Sequence, residues 1–459
     1  MKTLDRQNLN ESLAPLMRTH FPKEFVWGSA SSAFQVEGAH DVDGRVASIW
    51  DQFAQQPGAI VDGADAKVAC DHYHRWPEDL DLMRGLGFDA YRFSIAWPRI
   101  FSKLGGSANT KGLDFYDRLL DGVCERGLQP WLTLYHWDLP QYLQAQGGWA
   151  ARATVDAYLE FADCVSRHLG DRAKHWITHN EPWCTAMHGH YDGIHAPGVR
   201  DLKTALQACH HVLLSHGAAV RLIKNNVSNA KVGIALSLHP LHAASESAAD
   251  QAALQRHDGL RNRWYLDPLH GRGYPRDIWE LCAAYAPEVK AQDMQIIATP
   301  IDFLGVNYYF PETVYDAPAD HPLRTALVQN ADVERTAFGW EVAPQGLADL
   351  LKRIKTDYQT APIYITENGA SYEDLVQADG SIDDSERMRF YQRHLRVLRD
   401  LIREGVDVQG YFAWTLMDNF EWAQGYRRRF GLCYVDFKTQ ERRLKKSAYW
   451  FQQFLKNHA

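Results

Sequence analysis

Trp176-Ile177-Thr178-His179-Asn180-Glu181-Pro182 is a short apolar, β-branched run that ends in an acid and is stopped by a proline. Pro362-Ile363-Tyr364-Ile365-Thr366-Glu367-Asn368-Gly369 repeats the pattern, with glycine as the breaker. In both, an asparagine adjoins the glutamate. One such segment alone reads as a strand whose acid caps the next element. Two of them read as a scaffold that aims two acids into one pocket from two separate strands. A pair of carboxyls is what acid/base and nucleophilic chemistry on an acetal needs, which means glycoside cleavage.

Working outward, six more runs look like strands. The full set covers residues 25–30, 90–95, 130–135, 175–180, 232–238, 303–309, 363–367 and 409–416. Helical periodicity falls between and after them, over residues 77–85, 112–126, 154–169, 204–225, 248–260, 344–357, 384–403 and 447–457. Strands alternating with helices imply parallel β-α-β units. Eight of them, with no dinucleotide glycine fingerprint, favour a (β/α)₈ TIM barrel over a doubly wound sheet. The chain of 459 residues has room for such a barrel with loop insertions at the C-terminal face of the strands. No Pro/Gly/Ser-rich linker divides it. The expectation is a frayed arm over residues 1–22 and one α/β barrel domain over residues 23–459.

In a barrel the active site lies at the C-terminal strand ends. The fourth run ends at Asn180-Glu181 and the seventh at Glu367-Asn368. The third ends in Tyr135-His136-Trp137, and the sixth in Asn307-Tyr308-Tyr309. The eighth reaches Trp414 and leads to Asp418-Asn419-Phe420-Glu421-Trp422. The first leads to Gln35 and Glu37, and the second carries Arg92. Polar and aromatic residues thus collect at one rim, as a polyhydroxylated ligand requires.

The composition narrows the partners. A net charge of −8 gives no basic footprint for nucleic acid. The 15 tryptophans fit a sugar ligand, whose flat C–H faces stack on indoles, as well as a large core. Seven cysteines without a Cys-x-x-Cys spacing suit free thiols in a reducing compartment. Residues 1–22 have no apolar core of a secretory signal, and no apolar stretch is long enough to span a membrane. A soluble cytoplasmic protein is expected. Its partners are small-molecule β-glycosides or short oligosaccharides, with no cofactor and no metal. No pattern sets an oligomeric state.

These residues resemble the motifs of family 1 glycoside hydrolases, the β-glucosidase family. Besides Asn180-Glu181-Pro182, Thr366-Glu367-Asn368-Gly369 and Asp418-Asn419-Phe420-Glu421-Trp422, the resemblance takes in five further stretches. They are Phe25-Val26-Trp27-Gly28, Gln35-Val36-Glu37-Gly38-Ala39, Ser48-Ile49-Trp50-Asp51, Tyr91-Arg92-Phe93-Ser94-Ile95 and Tyr135-His136-Trp137-Asp138-Leu139-Pro140. It closes with Asn307-Tyr308-Tyr309 and Arg429-Phe430-Gly431, so it runs nearly end to end.

The resemblance implies a retaining mechanism with Glu181 as general acid/base and Glu367 as nucleophile. Glu181 is then expected to hold a proton in the free enzyme, and Glu367 to stay ionised beside Arg92 and Tyr309. By the same resemblance Gln35, His136, Glu421 and Trp422 bind sugar hydroxyls, Trp414 is the platform under the ring, and Asn180 bonds the 2-hydroxyl. Asn307 supports the surroundings of the nucleophile. Trp137 and Phe430 line the glycone pocket, and Trp340 stacks on the aglycone side. The implied substrates carry non-reducing terminal β-D-glucosyl residues, as in cello-oligosaccharides or aryl and alkyl glucosides. Galactosyl and fucosyl residues also suit this pocket.

The chain departs from the family pattern at the fifth run, where Ser237 stands near a usual asparagine and His239 is less usual; both concern the acceptor side. Cys184 reads as packing. A 6-phospho-β-glucosidase is the nearest rival, sustained by Arg427 and Arg428 and opposed by the acid at Glu421. A sugar-binding protein on the same barrel is a non-catalytic rival. His188, His190, His195, His210 and His211 match no zinc-helix spacing.

Overall fold

The computed structural model describes residues 15–318 and 323–456. Eight strands close into an all-parallel barrel in sequence order. They are β1 (Val26–Ala30), β2 (Ala90–Ser94), β3 (Gln129–Tyr135), β4 (His175–Asn180), β5 (Lys231–Ser237), β6 (Phe303–Asn307), β7 (Ile363–Asn368) and β8 (Val408–Trp414). The last strand pairs with the first, Val26 opposite Gly410 through Ala30 opposite Trp414. Each strand lies within two residues of its expected bounds because each is buried on both faces, and such strands read as continuous apolar runs.

Aromatic side chains fill the barrel interior. Trp131 on β3 lies 5.1 Å from Phe303, 4.7 Å from Tyr364 and 5.0 Å from Phe412, ring centre to ring centre. Such bulk needs glycine opposite: a Cβ at Gly28 would come within 2.3 Å of the Phe412 ring. The barrel is therefore a packed core and its chemistry is confined to the rim.

Two strands are irregular where the glutamates leave them. The β4–β5 register shifts between Ile177 and Asn180, and the β7–β6 register shifts between Ile365 and Glu367. Such shifts re-aim side chains beside active sites.

Helices His72–Leu86, Thr110–Glu125, Ala153–Leu169, Leu202–Asn226, Pro344–Tyr358, Ser385–Arg403 and Lys446–Lys456 surround the barrel. The first begins five residues before the expected start at Pro77. The proline removes one N–H from the ladder, but the buried His72 imidazole bonds Asp79 at 2.8 Å and spans it. The helix expected over 248–260 ends at Asp258 and runs through a wider turn, Gly259–Arg263, into a second helix, Trp264–Leu269.

Three short strands outside the barrel, Leu241–Ala243, Glu312–Asp316 and Thr325–Val328, form a small sheet. Thr325–Val328 is only four residues long and largely solvent-facing, too short for a periodic signal. A further hairpin pairs Cys433–Val435 with Arg442–Leu444.

The frayed arm expected over residues 1–22 is packed in its described part. Leu16 and Phe21 are buried, Phe21 meets Trp27 edge-on at 4.8 Å, and Arg18 grips Asp89 with bonds of 2.8 and 2.9 Å. Residues 1–14 lie outside the described residues. Among the described residues no helix is long and apolar enough to cross a membrane.

Candidate active site

A cleft of about 520 Å³ opens at the C-terminal rim. Glu181 and Glu367 both line it, together with His136, Trp137, Tyr309, Trp340, Trp414, Glu421, Trp422 and Phe430. Gln35, Arg92, Asn180 and Asn307 stand behind this wall, each almost fully buried. Trp137, Glu181 and Trp422 adopt φ angles of 77°, 47° and 51°, in the left-handed region. Such backbones cost about 1–3 kcal/mol each, and three of them border one cleft. The Trp414–Thr415 peptide is cis.

The Glu367 carboxyl is held at both oxygens. Arg92 Nη1 donates to Oε1 at 2.6 Å and the Tyr309 hydroxyl donates to Oε2 at 2.7 Å. Burial pushes Glu367 up to about 7, the Arg92 charge opposes that rise, and the Glu181 charge adds to it. The ionised state expected of Glu367 therefore depends on Arg92 and Tyr309 working against burial. Tyr309 itself is raised far above the usual phenol range, by burial and then by the Glu367 charge, so it stays a donor.

Glu181 has a different setting. Asn307 Nδ2 donates to Oε1 at 2.8 Å, and the Cys184 thiol donates to Oε2 at 3.1 Å. No cation bonds it. Asn307 was expected near the nucleophile. It does bond the Thr366 hydroxyl at 2.7 Å, next to Glu367, and it also donates to Glu181 and to Asn180 Oδ1 at 3.0 Å, because its side chain leaves β6 between β5 and β7. Cys184, which reads as packing, is a hydrogen-bond partner of an acid. Its place three residues past Glu181, in the helical turn Cys184–His188, was the available signal.

Arg92 links the two sides of the site. Its Nη1 bonds Glu367, and its Nη2 donates to Asn180 Oδ1 at 2.6 Å. Asn180 Nδ2 donates to His136 Nε2 at 3.1 Å. That leaves the proton on His136 Nδ1, which is buried without a protein partner among the described residues. Burial, then the Arg92 charge, holds His136 well below the usual histidine range, so it is a neutral donor.

Gln35, in the short helix Ala33–Val36 after β1, holds the loop that follows β8. Gln35 Nε2 donates to Asn419 Oδ1 and to the Phe420 carbonyl, both at 3.0 Å, and Ser32 donates to Gln35 Oε1 at 2.6 Å. Glu421 is raised to about 8 by burial, then by Glu367 and Glu181. Near neutrality it is mainly an uncharged carboxyl that can both donate and accept.

Asp418 anchors this loop from beneath. It accepts from Lys445 Nζ and Arg429 Nη1, both at 2.6 Å, and from the Gly431 N–H at 2.9 Å. Lys445 also bonds Asp374 at 2.6 Å, and Arg387 joins Asp374 to Asp384. Three cations thus balance three carboxylates. A buried arrangement of this kind fixes geometry more than it adds stability.

The acceptor end carries groups that the motifs do not reveal. Arg261 lies over the Trp183 ring at 3.9 Å and donates to the Ser237 carbonyl and hydroxyl at 2.8 and 3.0 Å. Against the cost of burial, His239, His257 and Arg261 hold Glu312 well below the usual carboxylate range. Trp340 stacks on Phe338 at 4.2 Å and on Phe310 at 4.8 Å.

The Arg427–Arg429 stretch does not form a phosphate cradle. Arg427 is exposed, Arg428 faces Glu373 at 3.8 Å, and Arg429 is committed to Asp418. Four of the five histidines named above have other partners: His188 bonds Asp192, His190 the Thr185 carbonyl, His210 Asp293 and His211 the Trp149 carbonyl. Among the described residues no group of three or more His, Cys, Asp or Glu is arranged around a metal position.

Two glutamates at the C-terminal ends of β4 and β7 of a parallel barrel, lining one aromatic cleft, define a glycoside-hydrolase type of site. Residues 17–459 match Glycosyl hydrolase family 1, and the chain belongs to that family. It is 44% identical to Beta-glucosidase A of Acetivibrio thermocellus over 95% of this chain and 98% of the relative. It is 43% identical to a beta-glucosidase of an Agrobacterium species over 95% of each chain. The solved family 1 β-glucosidase of Thermotoga maritima superposes with a TM-score of 0.93 at 42% identity, covering 97% of this chain and 99% of that one. That enzyme has also been solved with isofagomine lactam.

Proposed function

We propose that the chain is a retaining β-glucosidase that hydrolyses non-reducing terminal β-D-glucosyl residues of short oligosaccharides or aryl and alkyl glucosides. Glu367 attacks the anomeric carbon while Glu181 gives its proton to the departing oxygen. The resulting glycosyl-enzyme is then cleaved by a water that Glu181, now ionised, deprotonates. One observation carries this reading: the two carboxyls share a cleft but have opposite support. Glu367 is bonded by a guanidinium and a phenol, which favour a nucleophilic anion. Glu181 is bonded only by an amide and a thiol, which leave it free to gain and lose a proton.

The names of the relatives support glucosides over 6-phosphoglucosides. The neutral donor His136, the Glu421 carboxyl and the indoles of Trp414 and Trp422 suit the hydroxyls and faces of an unphosphorylated ring. The seven free thiols support a cytoplasmic location.

Replacing Glu367 by glycine tests the assignment. Turnover of an aryl β-glucoside falls by about 10⁴-fold or more, and azide or formate restores it from the vacated position. A 2-fluoro glucoside labels Glu367 in the wild-type enzyme, as read by peptide mapping. Normal activity in Glu367→Gly, or label on another residue, sinks the proposal.

A further inference from the structure

We propose that Cys184 is a positioning residue for Glu181, its thiol acting as a two-way hydrogen-bond partner that follows the carboxyl through its proton cycle. The inference rests on the acid/base role proposed above for Glu181.

The network fixes where the proton of Glu181 resides. Arg92 can only donate, so the Asn180 oxygen that receives its 2.6 Å bond is an acceptor. Asn307 must then present its NH₂ to that oxygen, and the same NH₂ reaches Glu181 Oε1 at 2.8 Å. An amide NH₂ cannot accept. Oε1 is therefore an acceptor in both charge states, and the exchangeable proton sits on Oε2. The partner of Oε2 is Cys184 Sγ, at 3.1 Å.

A thiol suits this position because sulfur can donate or accept weakly. When Glu181 is ionised, the S–H points at Oε2 and steadies the charge. When Oε2 is protonated, the S–H turns away and Oε2–H is free to face the leaving group. No proton passes to or from sulfur. Burial, then the Glu181 charge, pushes the thiol far above its usual range and keeps it protonated throughout.

The S–H has somewhere to turn. Cys184 borders both the main cleft and a second, buried cavity of about 10 Å³ open to a water's centre, room for one water. Thr185 Oγ1, His190 Nε2 and His195 Nδ1 line that cavity without partners among the described residues. His190 Nδ1 bonds the Thr185 carbonyl at 2.9 Å, so Nδ1 carries the ring proton and Nε2 is an acceptor. The sulfur thus stands between a carboxyl on one side and an acceptor-bearing chamber on the other.

The charged and titratable neighbours of this pair come from several elements. Glu367 on β7, Glu421 in the loop after β8 and Tyr309 just past β6 act on Glu181, and Arg261 acts on Cys184. All of them are unchanged in the variants below, so differences between variants report the thiol.

The test is the pH profile of kcat/KM on an aryl glucoside with a poor leaving group. Cys184→Ala and the bulkier Cys184→Val lose the donor to ionised Glu181, and the basic limb moves up by about half a pH unit. Cys184→Ser restores a group that can donate and accept, and its limb returns to the wild-type position. In a Glu181→Gln background, assayed with an activated leaving group, Cys184→Ala has no further effect. A basic limb unmoved in both Cys184→Ala and Cys184→Val overturns the inference, as does a shift of equal size in Cys184→Ser. Failure of the underlying reading looks different: the wild-type enzyme hydrolyses no β-glucoside.

Discussion

Glu181 and Glu367 are the same residue type at the ends of two strands in one barrel, yet their surroundings differ in kind. The Glu367 carboxyl meets a guanidinium and a phenol, one at each oxygen. The Glu181 carboxyl meets an amide and a thiol. Both carboxyls are buried and line the same cleft. On the reading proposed above, a fixed cation beside Glu367 favours the nucleophilic anion, and Glu181 is left free to cycle as acid/base. Asn180 and Asn307 join the two halves, so the difference is built within a single hydrogen-bond network.

The largest way to break this contrast acts on Glu181. Glu181→Ala lowers kcat/KM by about 10²–10⁴-fold on glucosides with poor leaving groups. With a dinitrophenyl leaving group, which needs no protonation, the loss in kcat/KM is far smaller. Equal losses on both substrates would falsify the acid assignment.

Removing the cation comes next. Arg92→Met leaves a buried carboxyl without its charge partner and costs about 3–5 kcal/mol of stability, read by urea unfolding near neutral pH. At acid pH, where Glu367 is protonated in both proteins, the gap narrows.

A milder change sharpens the same point. Tyr309→Phe deletes one donor to ionised Glu367 and costs about tenfold in kcat/KM at neutral pH. Because that bond lowers the Glu367 pKa, its loss moves the acidic limb of the profile to higher pH. A limb moving the other way would show that the phenol does not serve the anion.

The smallest effect concerns stability against pH. Glu367 at about 7 and Glu421 at about 8 both lie above the ordinary glutamate value. These two groups therefore hold more protons in the native state than in the unfolded chain between about pH 4.5 and 8, and their contribution to stability falls as pH rises through that window. Buried histidines held below their ordinary value, such as His136, His179 and His195, act in the opposite sense. From pH 5.5 to 8.5 the Tm of the wild-type protein falls relative to that of Glu421→Gln, a comparison in which the histidine contributions cancel.

The barrel was legible because its strands are buried on both faces and read as unbroken apolar runs. The two glutamates were legible because a proline or glycine stops the strand beside each. Chemistry that depends on distant pairing was not. Asn307 and Glu181 are 126 positions apart, and nothing in Asn307-Tyr308-Tyr309 tells which glutamate the amide will reach. The ends of β4 and β7 shift register just before their acids, and that decides the answer. Arg261 was missed for a similar reason: it enters the cleft from the wider helical turn Gly259–Arg263, which the helical period does not foretell. Cys184 was visible and read as packing, which its place in the buried core bears out, but its bond to Glu181 shows only once its neighbour's oxygen is located.

The buried ions beneath Asp418 set an order of assembly. A chain synthesised as far as residue 440 already carries both glutamates, every barrel strand and the loop with Glu421. It still lacks Lys445, the ammonium that ties Asp418 to Asp374. On a ribosome, the loop that carries Glu421 is thus among the last parts of this chain to find its partners. Asp418 has its full set of partners only once residue 445 has left the exit tunnel.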